Sequence, residues 1–114
     1  MNTYNWQSAS GRWHEFEVVR AQRAWEQVGG VYVFVKPHEA QLLWGGPTPL
    51  YIAKTDNFAA ALARHDMWAA AESMGAREIH ILPIKDEQTR TRLLNDLLEA
   101  QKPILNRNML QRAA

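Results

Sequence analysis

Apolar and polar positions alternate most clearly from Gly30 to Lys36. Val31, Val33 and Val35 point one way, and Tyr32, Phe34 and Lys36 the other. This pattern predicts a strand, which Pro37 ends. A second strand is predicted over Leu50 to Lys54. Between them lie a short apolar run, Gln41 to Trp44, and the loop Gly45-Gly46-Pro47-Thr48-Pro49, so a hairpin with an elaborated connection is expected. Glu78 to Ile84 alternates with apolar residues on both faces, as an interior strand does. His14 to Val19 alternates in part, with Phe16 and Val18 against Glu15 and Glu17, which predicts an edge strand or an extended lead-in.

Helical spacing marks four further segments. Arg20 to Gln27 places Ala21, Ala24 and Trp25 on one side before Gly29-Gly30 stops it. Thr55 or Asp56 can cap a helix from about Asn57 to His65, with Phe58, Ala61 and Leu62 on its apolar face. Met67 to Met74 forms a second piece stopped by Gly75. Asp86 can cap a long helix running to about Gln101, with Leu93, Leu94, Leu97 and Leu98 at helical spacing and Pro103 beyond it. Residues 1–12 are polar and read as a loose arm pinned by Trp6 or Trp13. The expected fold is α/β, an α+β sandwich around a small, mainly antiparallel sheet. The expected divisions are an arm with a strand and short helix (1–28), a domain (29–107) and a short basic tail (108–114).

Composition narrows the chemistry. The sequence has 114 residues, 13 Lys plus Arg and 12 Asp plus Glu, so its net charge of +1 gives no global field for nucleic acid. It contains no cysteine, which excludes disulfides, thiolate zinc sites, thiol catalysis and iron–sulfur clusters. No apolar run approaches the roughly 18 residues of a membrane span. The start, Met1-Asn2-Thr3-Tyr4-Asn5-Trp6, lacks the basic and apolar parts of a signal peptide. A cytoplasmic protein without membrane attachment is expected.

An ordered set of short elements carries a resemblance. Gly30-Val31-Tyr32 opens one strand, and Tyr51-Ile52-Ala53-Lys54-Thr55-Asp56-Asn57 closes another and enters a helix. His65 ends that helix and Trp68 follows. Gly75-Ala76 precedes a strand with His80, and Leu97-Leu98 runs on to Lys102-Pro103-Ile104-Leu105-Asn106. Over residues 29–107 this resembles the GIY-YIG nuclease family, in particular its small single-domain bacterial members. The resemblance implies a three-stranded antiparallel sheet flanked by helices. It also implies phosphodiester cleavage with one divalent metal: a tyrosine assists deprotonation of water, an arginine stabilises the phosphate charge, and a glutamate holds the metal.

By that resemblance Tyr32, Tyr51, His65 and Asn106 match family site positions. Three positions depart from it. Ala53 replaces the second motif's glycine, Ala61 stands where an arginine is expected, and Leu94 stands where the metal-binding glutamate is expected. Arg64, three residues after Ala61, is the candidate substitute for the arginine. No carboxylate shares the helical face of Leu94, since Asp96 lies roughly 200° away and Glu99 roughly 140°. The expectation is a catalytically impaired, nuclease-like pseudoenzyme without a cofactor, Mg²⁺ entering only if a rearranged site exists.

Three functions follow. The first is DNA binding or regulation, with Lys36, Lys54, Arg64, Lys102 and Arg107 as the phosphate-contacting set. The second is a protein-interaction or homodimerisation module using Leu42, Leu43 and Trp44 as an apolar patch. The third is a metal-dependent endonuclease with a rearranged site. The first is the reading the sequence favours. His80 reads as a partly buried structural residue, and Trp13, Trp25 and Trp68 as core or rim.

Overall fold

In the computed structural model, which describes residues 2–20, 23–39 and 45–107, the alternating Val/aromatic segment is the centre of a sheet. Strand β3 (Gly30–Lys36) pairs antiparallel with β4 (Thr48–Thr55) on one side and β5 (Glu78–Pro83) on the other. The sheet is not three-stranded, as the family resemblance implies. It has five antiparallel strands in the order β1-β2-β5-β3-β4, because β1 (Thr3–Gln7) and β2 (Trp13–Val19) add a hairpin beside β5.

β1 occupies much of the segment expected to be a loose arm. Its outward residues Thr3, Asn5 and Gln7 are exposed, and inward Trp6 is buried at 4% exposure. One large aromatic anchor thus organises five mostly polar residues. The helix expected over Arg20 to Gln27 is also corrected: residues 23–26 have no regular structure, and 21–22 lie outside the described residues.

Alternation along β3 divides the core into two clusters on opposite faces. One face carries Tyr32, Phe34, Tyr51, Ile79 and Ile81 under two short helices, α1 (Phe58–Leu62) and α2 (Trp68–Ser73). The other carries Val31, Val33, Val35, Ile52, Phe16 and Trp6 under the long helix α3 (Glu87–Gln101) through Leu93 and Leu97.

Local chemistry sets the helix ends. Asn57, rather than Thr55 or Asp56, caps α1 by accepting from the Ala60 N–H at 3.2 Å. Thr55 instead accepts the Asn57 N–H, which tightens the turn before it. Gly75, at φ 107°, closes α2 where an L side chain would be strained. Asp86 caps α3 as expected, accepting from the Thr89 N–H at 2.9 Å. Gly30 is required at the start of β3, since a Cβ there would lie 2.1 Å from the Leu82 carbonyl oxygen.

Both sheet edges are closed by amides from the end of α3 and the segment after it. Gln101 Nε2 donates to the Gln7 carbonyl of β1 at 2.8 Å. Asn106, in a helical turn at 104–107, accepts from the Ile52 N–H of β4 and donates to its carbonyl, both at 2.8 Å. α3 therefore touches both edge strands. Among the described residues, no helix is long and apolar enough to cross a membrane.

Candidate functional site

Three of the four family-like positions converge on the face under α1 and α2. Tyr32 and Tyr51 rise from β3 and β4 with ring centroids 6.4 Å apart. His65, in the link between α1 and α2, stands 5.4 Å from the Tyr51 ring and 4.8 Å edge-on from Phe34. Its Nε2 lies 2.6 Å from the Tyr32 hydroxyl.

The tautomer of His65 follows from its second contact. Nδ1 accepts the Met67 backbone N–H at 3.0 Å, so Nδ1 carries no proton in the neutral ring. Nε2 must then carry it and donate to the Tyr32 oxygen. Burial lowers the pKa of His65, with the Asp66 charge opposing, which keeps the ring neutral near pH 7. Burial, then the charge of Tyr51, pushes the Tyr32 hydroxyl well above its ordinary value. Burial and then Asp66 raise Tyr51 as well. Tyr32 therefore cannot hand its proton to His65. Its own O–H remains a donor, so the pair offers a single hydrogen bond to an acceptor and is not arranged as a base.

The remaining positions separate. Ala53 lies directly opposite Tyr32 in the strand register, and Ala61 packs against the same cluster from α1. Leu94 packs against the α3-side cluster, across the sheet from Tyr32. An apolar side chain on the far face does not fit a divalent cation beside these tyrosines. Among the described residues, no group of three or more His, Asp or Glu could hold a metal ion. Asn106 spends one Oδ1 and one Nδ2 hydrogen bond on the Ile52 backbone, so it fastens the edge of β4.

The five expected cations do not form one surface. Lys36 is at the end of β3 on the Tyr32 side, packs near Gly75 and faces Glu39 at 3.6 Å. Lys54 shares a register position with Val31, on the opposite face, and pairs with Glu87 of α3. Lys102 takes the left-handed conformation that ends α3, and its carbonyl accepts from Arg107 Nε and Nη2 at 2.9 and 2.6 Å. Arg64 is exposed and has no carboxylate partner among the described residues. It lines a cleft of about 220 Å³ with Phe34, Leu62, His65 and Trp68. Leu42, Leu43 and Trp44 lie outside the described residues.

A second polar assembly on the α3 side has no local signal in the sequence. The Trp6 indole N–H donates to His80 Nδ1 at 2.9 Å, and His80 Nε2 meets Glu78 Oε1 at 3.0 Å. Arg20 Nε donates to Glu78 Oε2 at 2.9 Å. His80 is 1% exposed, deeper than the partly buried position expected of it. Since an indole nitrogen only donates, His80 is also the Nε2–H tautomer. Burial lowers its pKa, against the opposing hydrogen bond and charge of Glu78, and the Arg20 charge lowers it further. Trp13 departs from the core-or-rim expectation at 64% exposure.

Compared with known proteins, the chain matches no family model, no curated protein and no solved structure.

Proposed function

We propose that this chain is a GIY-YIG-like domain that binds DNA phosphate without cleaving the strand. The observation that carries this reading is Arg64, an exposed cation free of carboxylate partners among the described residues, which lines a cleft together with His65, the residue bonded to the Tyr32 hydroxyl. An exposed, unpaired guanidinium suits a phosphate oxygen. Leu94, on the other face, leaves this arrangement without the electrophile that cleavage of the family type needs. The interface is small, centred on Arg64 with Lys36 on the same side of the sheet, so the affinity is modest.

Fluorescence anisotropy with labelled duplex tests the reading across a salt titration. With two phosphates engaged, log K is expected to fall against log salt with a slope of about −2. Arg64→Ala is expected to remove roughly half of that slope, and Lys54→Ala to leave it unchanged. Absence of binding at low salt overturns the proposal. The dispersal of the other cations and the exposed Trp13 would then favour a protein-interaction module.

A further inference from the structure

We propose a second ligand site at the end of β2, where Arg20 is held as a recognition arm for the carboxylate of a small organic acid. The site is a cleft of about 330 Å³ whose polar lining includes Asn2, Thr3, Tyr4, Arg20, His38 and Glu78, with His80 behind it. Val18, Pro37 and Pro47 give it an apolar wall.

Arg20 itself is 62% exposed, yet its Nε is fixed by Glu78, whose side chain is 9% exposed. Glu78 is oriented by His80, and His80 by Trp6. Burying a carboxylate and an imidazole is costly unless each is fully hydrogen-bonded, and here the chain of bonds runs from the core out to one guanidinium. The Arg20 Nη1 and Nη2 groups have no hydrogen-bond partner among the described residues. A guanidinium anchored through Nε keeps the paired donors that a carboxylate accepts bidentately. The Tyr4 hydroxyl, also without a partner among the described residues, adds a further donor beside the cleft.

Charge selects among oxyanions. Arg20 and Glu78 sum to zero and His80 is neutral, so the site offers directed hydrogen bonds with little net field. A singly charged carboxylate fits this balance better than doubly charged phosphate, which Glu78 repels more strongly. The apolar wall suits a short aliphatic body. Trp6, His80 and Glu78 act through Arg20 as positioning residues.

The test titrates butyrate, and separately inorganic phosphate, into the ¹⁵N-labelled chain at constant ionic strength, following the arginine side-chain resonances. Butyrate is expected to shift the Arg20 signal saturably and to bind more tightly than phosphate. Arg20→Lys, which keeps the charge and loses the fork, is expected to weaken butyrate at least tenfold. Glu78→Gln is expected to weaken it severalfold with Arg20 still present. Arg77→Gln serves as a control, because Arg77 is tied to the Glu72 and Ala76 carbonyls. Equal response to chloride, tighter phosphate binding, or unchanged affinity in Arg20→Lys overturns the proposal. A Glu78→Gln chain that loses stability but retains butyrate affinity overturns the positioning role. DNA binding through Arg64 is read on the opposite face and is independent of each result.

Discussion

His65 and His80, on opposite faces of the sheet, share one protonation state, and each face uses its histidine differently. His65 and His80 both accept at Nδ1 and donate from Nε2. Under α1 and α2, the acceptor at Nδ1 is satisfied by a backbone N–H two residues away, and the proton on Nε2 ends on a phenol. Under α3, the partners are an indole 74 positions earlier and a buried carboxylate. The first arrangement is local, half-buried and adjacent to a cleft. The second ties β1 to β5 across the intervening β2 from inside the core. A histidine's role is therefore set by how far its partners lie along the chain and how dry its surroundings are, more than by its tautomer.

Substitution of the two histidines separates the faces most strongly. His80→Leu strands the Trp6 N–H and leaves Glu78 held by Arg20 alone, and is expected to cost about 2–4 kcal/mol in urea denaturation. His65→Leu is expected to cost about 1 kcal/mol, since water can reach the groups it leaves. Equal losses would break the contrast. Asn106→Ala removes two hydrogen bonds from the β4 edge and is expected to cost about 1–2 kcal/mol. Light scattering should also detect concentration-dependent association through the opened edge.

Tyr32→Phe is expected to cost about 1 kcal/mol while leaving His65 bonded to Met67. Nitrogen NMR sharpens this point: both rings should report a proton on Nε2, and a proton on Nδ1 of His65 would reverse the donor assignment at Tyr32. The smallest effect is expected from pH. Both histidines titrate below the ordinary imidazole value when folded, so the unfolded chain takes up protons first. Stability is therefore fully present above about pH 6.5 and declines as pH falls from there through the two folded-state values. Thermal melts across that window should show the decline, shallower in His80→Leu.

Much of the framework was legible because it is written in local periodicity. The valine/aromatic alternation of β3, the Asp86 cap, the leucine spacing of α3 and the stop at Gly75 all act within a few residues. β1 escaped because a five-residue strand with one deeply buried aromatic, Trp6, resembles a polar arm until β2 is beside it. A shared site for Tyr32, Tyr51 and His65 was expected only through the family resemblance and not from periodicity. The face taken by Leu94 did not follow, because helical spacing tells which residues share a stripe and not which side of a sheet that stripe meets. The His80 assembly joins residues 58 and 74 positions apart, beyond any local pattern.

The amides that close the sheet also impose an order on its making. At a synthesis rate of about 5–20 residues per second, Trp6 waits about 4–15 s for His80 to emerge, and Gln7 waits longer still for Gln101, 94 positions on. The β1–β2 hairpin is translated before β3 and β4 but finds its neighbour β5 only after both. Ribosome-bound chains halted before β5 are thus expected to recruit chaperones, and chains released past Asn106 to shed them.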